Sequence, residues 1–371
     1  MKMMGGRSKI PVCEPSIGKR EKRWVNKALS ENRLSASAGF VEKFEKEFAK
    51  KIGTKYAVAV NSGGSSLFLA LKALGIGAGD EVIIPDYTYI SCVNAVIHCG
   101  AKPILVDARW EDNNIDYRLI EKKITKRTRA IMPAHLYGNP CNMKEIMNIV
   151  GKYWSIDTLH NIFVVEDCSE AHGATYNGKA VGSMGDCGCF SLYANKIITT
   201  GEGGIITTNN WELAQELRRL RDDYFITKGI YRHNKPAWNM RMSSLEAAIG
   251  LGQLERWNEL IEKRMDIAQY YEDILSDWAD THIDNACWMY FLKTPHRDEL
   301  EKRLEFLNIE TRRAFIPIHK QKFIKTKEEY PISNKIEKEG IYLPTGSHLK
   351  KHEVRLIATE TRNFLRKKRE N

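Results

Sequence analysis

The pattern of apolar and polar positions changes character along the chain. Residues 16–30 (SIGKREKRWVNKALS) and 40–52 repeat apolar side chains every three or four positions, which predicts two amphipathic helices. VAVNSGGSSLFLALKALG then reads as a short strand, a glycine turn and a helix. EVIIP (81–85), PILVD (103–107), AIMPAHLYG (130–138), FVVED (163–167), CFSLY (189–193) and GGIITT (203–208) read as further strands. Helical spacing in SCVNAVIHCG and NMKEIMNIVGKYW fills intervals between them. Short apolar strands alternating with helices predict an α/β fold, with a large, mostly parallel sheet covered on both faces.

From about Trp211 the pattern turns to long charged helices, WELAQELRRLRDDYF and SSLEAAIGLGQLERWNELIEKRMDIAQYYEDIL, the second read as one continuous helix. Beyond residue 280 come a strand-like CWMYFLK, a helix DELEKRLEFLN and then TRRAFIPIH. These predict a smaller C-terminal α+β domain. The boundary is placed on the long helix, giving a large domain over 1–250 and a small one over 251–371. There is no internal repeat and no low-complexity linker.

Composition changes this picture little. The 371 residues are 43% hydrophobic and 28% charged, ordinary for a globular protein. No run reaches the eighteen or so apolar residues of a membrane span, and MKMMGGRSKIPV has no apolar core. A cytoplasmic protein is therefore expected, without a membrane partner. The formal charge of +10 is spread over helices that also carry Glu and Asp, so a solvated surface is expected rather than a nucleic-acid site. The densest basic cluster, RNFLRKKREN, reads as a frayed tail. The eight cysteines are scattered and read as reduced, mostly buried side chains. His352 and Glu353 lack the second histidine of a zinc-protease helix, since Leu356 stands there, and no metal site is expected.

Three features sit at the carboxyl ends of predicted strands, where open parallel sheets bind ligands. NSGGSS (61–66) opens a helix with small residues whose amides can cradle a phosphate, although such a turn is more often a plain connector. Asp167 closes FVVED; its carboxylate needs a partner there, or caps the segment that comes next. Lys196 stands between CFSLY and the turn GEGG. Each alone has an ordinary reading. Together they meet the needs of pyridoxal 5′-phosphate: an anion cradle, a carboxylate for the pyridine nitrogen and an amine for the aldehyde. GEGG is not a dinucleotide loop, because Ile206 stands where a third glycine is required and a strand comes after it.

The segments NSGGSSLFLAL, GDEVIIPDYTYISCVNAV, HLYGNPCNM, VVEDCSEAHGA, GSMGDCGCFSLYANKIITTGEGG, WNMRMSSLEAAIGLGQLE and IYLP occur in that order. With them, residues 10 to 365 resemble the DegT/DnrJ/StrS family of PLP-dependent sugar-nucleotide aminotransferases, which have the type I aminotransferase fold. ANKIITTGEGG, CWMY and TRRAFIPIH are most similar to its perosamine-forming branch, which aminates C4 of a GDP-linked 4-keto-6-deoxy sugar with L-glutamate as donor. The resemblance leaves UDP- or dTDP-linked 3- or 4-ketosugars open, as it does a non-catalytic relative. It implies that Lys196 is the Schiff-base lysine and proton shuttle, that Asp167 pairs with the pyridine nitrogen and that Tyr89 stacks on the ring. Glu170 would stand near the ring hydroxyl, and Gly63, Gly64, Ser65 and Ser191 would hold the phosphate. Asn239 would reach the phosphate of a neighbouring subunit, which implies a homodimer with shared sites. Arg241, Arg312 and His319 would contact the nucleotide sugar, with structural salt bridges an equal reading for the arginines. Gly64 departs from a common threonine, Ser169 from a common alanine and Leu192 from a common phenylalanine. Members that act as 3-dehydratases carry a histidine at the lysine position, and Lys196 argues against that reaction.

Overall fold

The computed structural model describes residues 8–37, 39–153, 161–227 and 230–370. Residues 1–7, Trp154 at the end of NMKEIMNIVGKYW and the final Asn371 lie outside the described residues. The helices are α1 (Lys19–Ser30), α2 (Phe40–Ile52), α3 (Gly63–Ala73), α4 (Ser91–His98), α5 (Tyr117–Ile120), α6 (Met143–Lys152), α7 (Trp211–Arg221), α8 (Ser244–Leu254), α9 (Trp257–Leu275), α10 (Arg297–Phe306), α11 (Pro331–Glu339) and α12 (Lys351–Glu370). A large sheet is built from β1 (Tyr56–Val60), β2 (Glu81–Pro85), β3 (Lys102–Val106), β4 (Thr128–Ile131), β5 (Phe163–Asp167), β8 (Cys187–Ser191) and β9 (Gly204–Thr208). Between its members lies the small hairpin β6 (Thr175–Tyr176) with β7 (Lys179–Ala180), and after it the ribbon β10 (Phe225–Thr227) with β11 (Ile230–His233). A second sheet comprises β12 (Asp280–Thr281), β13 (Tyr290–Lys293), β14 (Arg312–Arg313) and β15 (Gly340–Leu343).

The large sheet runs β1-β9-β8-β5-β4-β2-β3. The β3–β2, β2–β4, β4–β5 and β5–β8 pairs are parallel, while β9 is antiparallel to both of its neighbours. The predicted mostly parallel sheet is therefore present, with β9 alone reversed. Every residue of β2 and β9 is buried, as strands covered on both faces require. The topology brings the ends of β1, β4, β5 and β8 to the edge where β9 starts, so the β8–β9 loop that carries Lys196 lies over that edge.

Several elements differ from their sequence pattern for identifiable reasons. AIMPAHLYG is a strand only as far as Ile131. Pro133 has no amide for the ladder, and Tyr137 and Gly138 take left-handed φ values of 57° and 104°. Strand β8 starts and ends two residues earlier than CFSLY suggests, leaving Leu192 and Tyr193 to lead out of the sheet. The long charged helix is two helices, because Arg256 breaks it with φ −111° and ψ 13°. Its guanidinium is tied to Ser16 and Glu21 instead. The first half packs on α1 and α2, where Gly250 lets Phe44 approach; the second packs on α12. WELAQELRRLRDDYF is helical only to Arg221, as Asp223 and Tyr224 turn left-handed. RNFLRKKREN is no frayed tail: it continues α12 to Glu370, buries Leu365 and pairs Lys368 with Glu299 of α10. Among the described residues no helix is long and apolar enough to cross a membrane.

The aromatic side chains behind the Lys196 loop form a continuous packing unit. Phe48 of α2 is wholly buried and packs edge-on against Phe44, Phe190 of β8 and Trp257 of α9. It thereby joins three elements that support the loop. Replacing Phe48 by alanine is expected to cost roughly 3–5 kcal/mol through lost burial and a residual cavity. The check is urea unfolding, where the midpoint falls at similar slope; an unmoved midpoint contradicts this packing role.

Candidate active site

Three strand ends and one helix N-terminus supply the chemistry. Asp167 closes β5 and is 7% exposed, with its amide bonded to Pro133 O at 2.8 Å and its carbonyl accepting from His135 N at 3.0 Å. The carboxylate accepts from the Ser169 amide at Oδ1 and from the Cys92 thiol at Oδ2, both at 3.0 Å. A single amide and a weak thiol donor leave lone pairs for a further, stronger donor. Glu170 stands one turn later. Its Oε2 accepts the Tyr137 amide at 3.0 Å, and its Oε1 lies 3.8 Å from Lys196 Nζ. Burial pushes the Glu170 carboxyl up to about 7, against the opposing pull of Lys196.

Tyr137 owes its strained backbone to this role. A bulky residue at φ 57° is unfavourable unless its surroundings hold it there. Here its ring stacks on Phe291 at 4.3 Å, its hydroxyl meets Tyr87 at 2.6 Å, and its amide is aimed at Glu170.

Lys196 lies in the loop after β8, with its side chain 11% exposed. Its amide bonds to Tyr193 O at 2.9 Å, and its Nζ sits 3.8 Å from the centroid of the Trp288 ring. Burial lowers its pKa below the ordinary lysine value, while Glu170 and Asp167 pull the other way.

The helix N-terminus of α3 faces the same space. Ser62 caps it, accepting the Ser65 amide at 3.1 Å. The remaining first-turn amides have no intrahelical acceptor and favour an anion. Gly63 is required by contact: a Cβ there would stand 2.6 Å from that of Ser191, so only glycine lets the helix end reach β8. Gly203, at φ +142°, performs the turn that brings β9 back beside Ser62.

Gly63, Gly64, Tyr89, Asp167, Glu170, Ser191 and Lys196 thus line one cavity of about 370 Å³. Ser65 faces an adjoining cavity that shares Ser62, Gly64 and Ser91 with the first. The other four expected site residues do not line the main cavity of the single chain. Asn239 is exposed elsewhere. Arg241 is engaged by Asp222 and Asp223, the latter at 3.0 Å, and so has the structural salt bridge as its role within the chain. Arg312 is exposed and pairs with Glu310 at 2.6 Å. His319 is turned away: Asp86 takes its ring nitrogen at 2.7 Å and its amide at 2.8 Å, and Tyr330 stacks on the ring.

Trp288, Phe315 and Tyr342 complete the cavity walls from the second sheet and its loops. They belong to CWMY, TRRAFIPIH and IYLP, so their motifs were visible although their roles were not. Cys92 gave no local signal, because its bond to Asp167 crosses 75 positions. His135, Glu166 and Cys168 form a buried group with atoms within 4.8 Å. Its carboxylate is occupied by the amides of Gly182, Met184 and Gly185 and by His135, which makes it the anchor of the 182–185 turn.

An anion-holding helix end, a carboxylate with acceptor capacity to spare and an amine biased toward neutrality fit a molecule bearing a phosphate, a ring nitrogen and an aldehyde. The pyridoxal phosphate reading therefore passes the test of the donor set.

Comparison with known proteins supports the same reading. The model of the DegT/DnrJ/EryC1/StrS aminotransferase family matches residues 15–362. The chain is 38% identical over 364 residues to the GDP-perosamine synthase of Escherichia coli O157:H7, covering 96% of this chain and 98% of that protein. It is 39% identical over 367 residues to the GDP-perosamine synthase of Caulobacter vibrioides, covering 94% and 97%. Among solved structures, the PLP form of Spr1654 from Streptococcus pneumoniae superposes with a TM-score of 0.90 at 26% identity, covering 97% of this chain and 99% of that one. With this match spanning both sheets and every wall of the cavity, the chain belongs to the DegT/DnrJ/EryC1/StrS aminotransferase family.

Proposed function

We propose that this aminotransferase moves an amino group from L-glutamate to the C4 keto group of GDP-4-keto-6-deoxymannose, forming GDP-perosamine. The observation that carries the reading is the meeting of Lys196, Glu170, Asp167 and the α3 N-terminus in one cavity. Likeness along nearly the whole chain to two GDP-perosamine synthases supports the substrate.

Pyridoxal 5′-phosphate, when bound, supplies an aldehyde that exchanges between amines and a ring that takes up the electrons of a breaking Cα–H bond. The first-turn amides of α3, with Ser65 and Ser191, would hold its phosphate. Asp167 would accept from its ring nitrogen and so keep that nitrogen protonated. Tyr89 would stack on the ring, and Glu170 would stand by its hydroxyl. Lys196 Nζ takes the proton from Cα of glutamate in the first half-reaction, which would end in 2-oxoglutarate with the amino group and that proton kept on the cofactor. In the second, the same amine delivers a proton to the sugar C4, which gains the amino group as its oxygen leaves as water. A single base working from one side fixes the configuration of the new C–N bond.

In this reading residues 1–250 carry the cofactor groups, while 251–371 add Trp288, Phe315 and Tyr342 on the substrate side. Arg312, paired in register with Tyr342, would be the arginine that meets the nucleotide phosphates in this reading. Asn239 would serve the site of a second copy in a cytoplasmic homodimer. The product would feed a surface glycan such as an O-antigen.

Incubation with pyridoxal phosphate, L-glutamate and GDP-4-keto-6-deoxymannose is expected to give 2-oxoglutarate and an aminated nucleotide sugar by mass spectrometry. Amination of UDP- or dTDP-linked ketosugars alone would overturn the GDP assignment, and no amination of any would overturn the reaction. Lys196→Ala should lower turnover by about 1,000-fold or more; retention of near-normal turnover would remove Lys196 from its role. Glu170→Gln removes a negative charge that favours the Lys196 ammonium. The acidic limb of the kcat/KM profile should therefore move to lower pH, and a limb that stays or rises contradicts the coupling of this pair.

A further inference from the structure

Arg264 has no part in the proposed transamination, yet it occupies a costly position. The buried face of α9 runs Trp257, Leu260, Arg264, Ala268, Tyr271 and Leu275, so an arginine stands where the helix presents apolar residues to the core. It is 2% exposed. A guanidinium withdrawn from water is expected to find a carboxylate or to be replaced. Its partners are instead Trp288 O, Asn195 O at 3.2 Å, Lys196 O at 3.3 Å and the Cys13 sulfur at 3.2 Å. Among the described residues no carboxylate pairs with it.

These contacts converge on the lysine loop. The Asn195 carbonyl that accepts from Arg264 also accepts from the Trp288 indole at 2.9 Å, and the Trp288 ring is the face on which Lys196 Nζ rests. One planar fork thus joins the peptide of the working lysine to the backbone of the residue that lies against its amine.

We propose that Arg264 is the positioning residue for Lys196: its fork holds the Asn195–Lys196 backbone against Trp288 and brings an unpaired guanidinium to the peptide of that lysine. The inference rests on the reading of Lys196 as the base of the transamination. The groups that face Lys196 are Asp167 at the end of β5, Glu170 beyond it, His172, Cys13 near the chain start and Arg264 from α9. The two carboxylates favour the ammonium. Burial above all, and then Arg264, favour the amine. His172 stays neutral, since burial pushes its pKa down to about 3. Arg264 is itself faced by Cys13, Cys287, His172 and His348, none of them a carboxylate. Charge and fork are separable: Arg264→Lys keeps the first and loses the second, Arg264→Gln keeps some hydrogen bonding without charge, and Arg264→Met loses both.

The test is competitive acetylation with acetic anhydride of the full chain freed of pyridoxal phosphate. The Lys196 peptide is quantified by mass spectrometry across pH, and thermal melts confirm folding. The titration midpoint of Lys196 is expected to lie below the ordinary value of 10.5. It should rise by roughly 1 pH unit in the Met and Gln variants and stay in place in the Lys variant, whose kcat falls. A midpoint at the ordinary lysine value in the natural chain overturns the proposal, as does an unmoved midpoint in a folded Met or Gln variant. If neither folds, the Lys variant decides, because a raised midpoint with the charge retained also overturns it. Added pyridoxal phosphate should protect Lys196 from acetylation. Failure to protect would count against the function proposed for Lys196 and leave the Arg264 effect measured separately.

Discussion

A lysine amine largely withdrawn from water, 3.8 Å from a buried carboxylate and with a guanidinium bonded to its own peptide carbonyl, can be tipped between its charged and neutral forms by small changes around it. The rest of the site depends on that balance. Bulk water would hold the amine as an ammonium at neutral pH, useless as a base. Burial alone would hold it neutral and disfavour the ammonium that forms when it takes a proton. Glu170, 3.8 Å away and itself raised to about 7, gives the pair a proton that can be held or yielded near neutrality. Asp167 stands behind it with its own carboxylate fixed by Ser169 and Cys92.

The fold supplies this balance through one topological fact. Because β9 alone is reversed, the chain leaves β8 at the binding edge, forms the lysine loop there and re-enters the sheet without crossing it. The same edge receives the end of β5 with Asp167 and the start of α3 with its free amides. Aromatic packing of Phe48, Phe190 and Trp257 supports the loop from the sheet side. From the other side, α9 meets it through Arg264, and the segment leading into β13 meets it through Trp288. The loop is thereby held between the two sheets, while its amine faces the cavity.

Much of this could be read from the sequence where the chemistry is local. NSGGSS, FVVED and the lysine before GEGG each place a reactive group at a strand end, and their meeting is a consequence of a parallel sheet. The helix 40–52 and the strands EVIIP and FVVED have their observed limits in the pattern. Long-range terms were hidden. The bond between Cys92 and Asp167 and the left-handed Tyr137 leave no periodic trace. The break at Arg256 was masked because both flanking segments have helical spacing and the interruption depends on contacts with Ser16 and Glu21. Arg264 was legible in principle, as a charge on the buried stripe of α9, but one arginine among many charged helix residues does not stand out. The last turns of α12, in RNFLRKKREN, were mistaken for a tail because their lysines and arginines outnumber the apolar residues that dock them. Arg241 and His319 satisfied a motif but are held within the chain by Asp222, Asp223 and Asp86, which no spacing announces.

The most direct measurement of the central claim is to load the full chain with pyridoxal phosphate, reduce it with sodium borohydride, digest it and locate the pyridoxyl group by mass spectrometry. The account predicts that the group is fixed on Lys196 alone. A label on another lysine, or none at all, would contradict it.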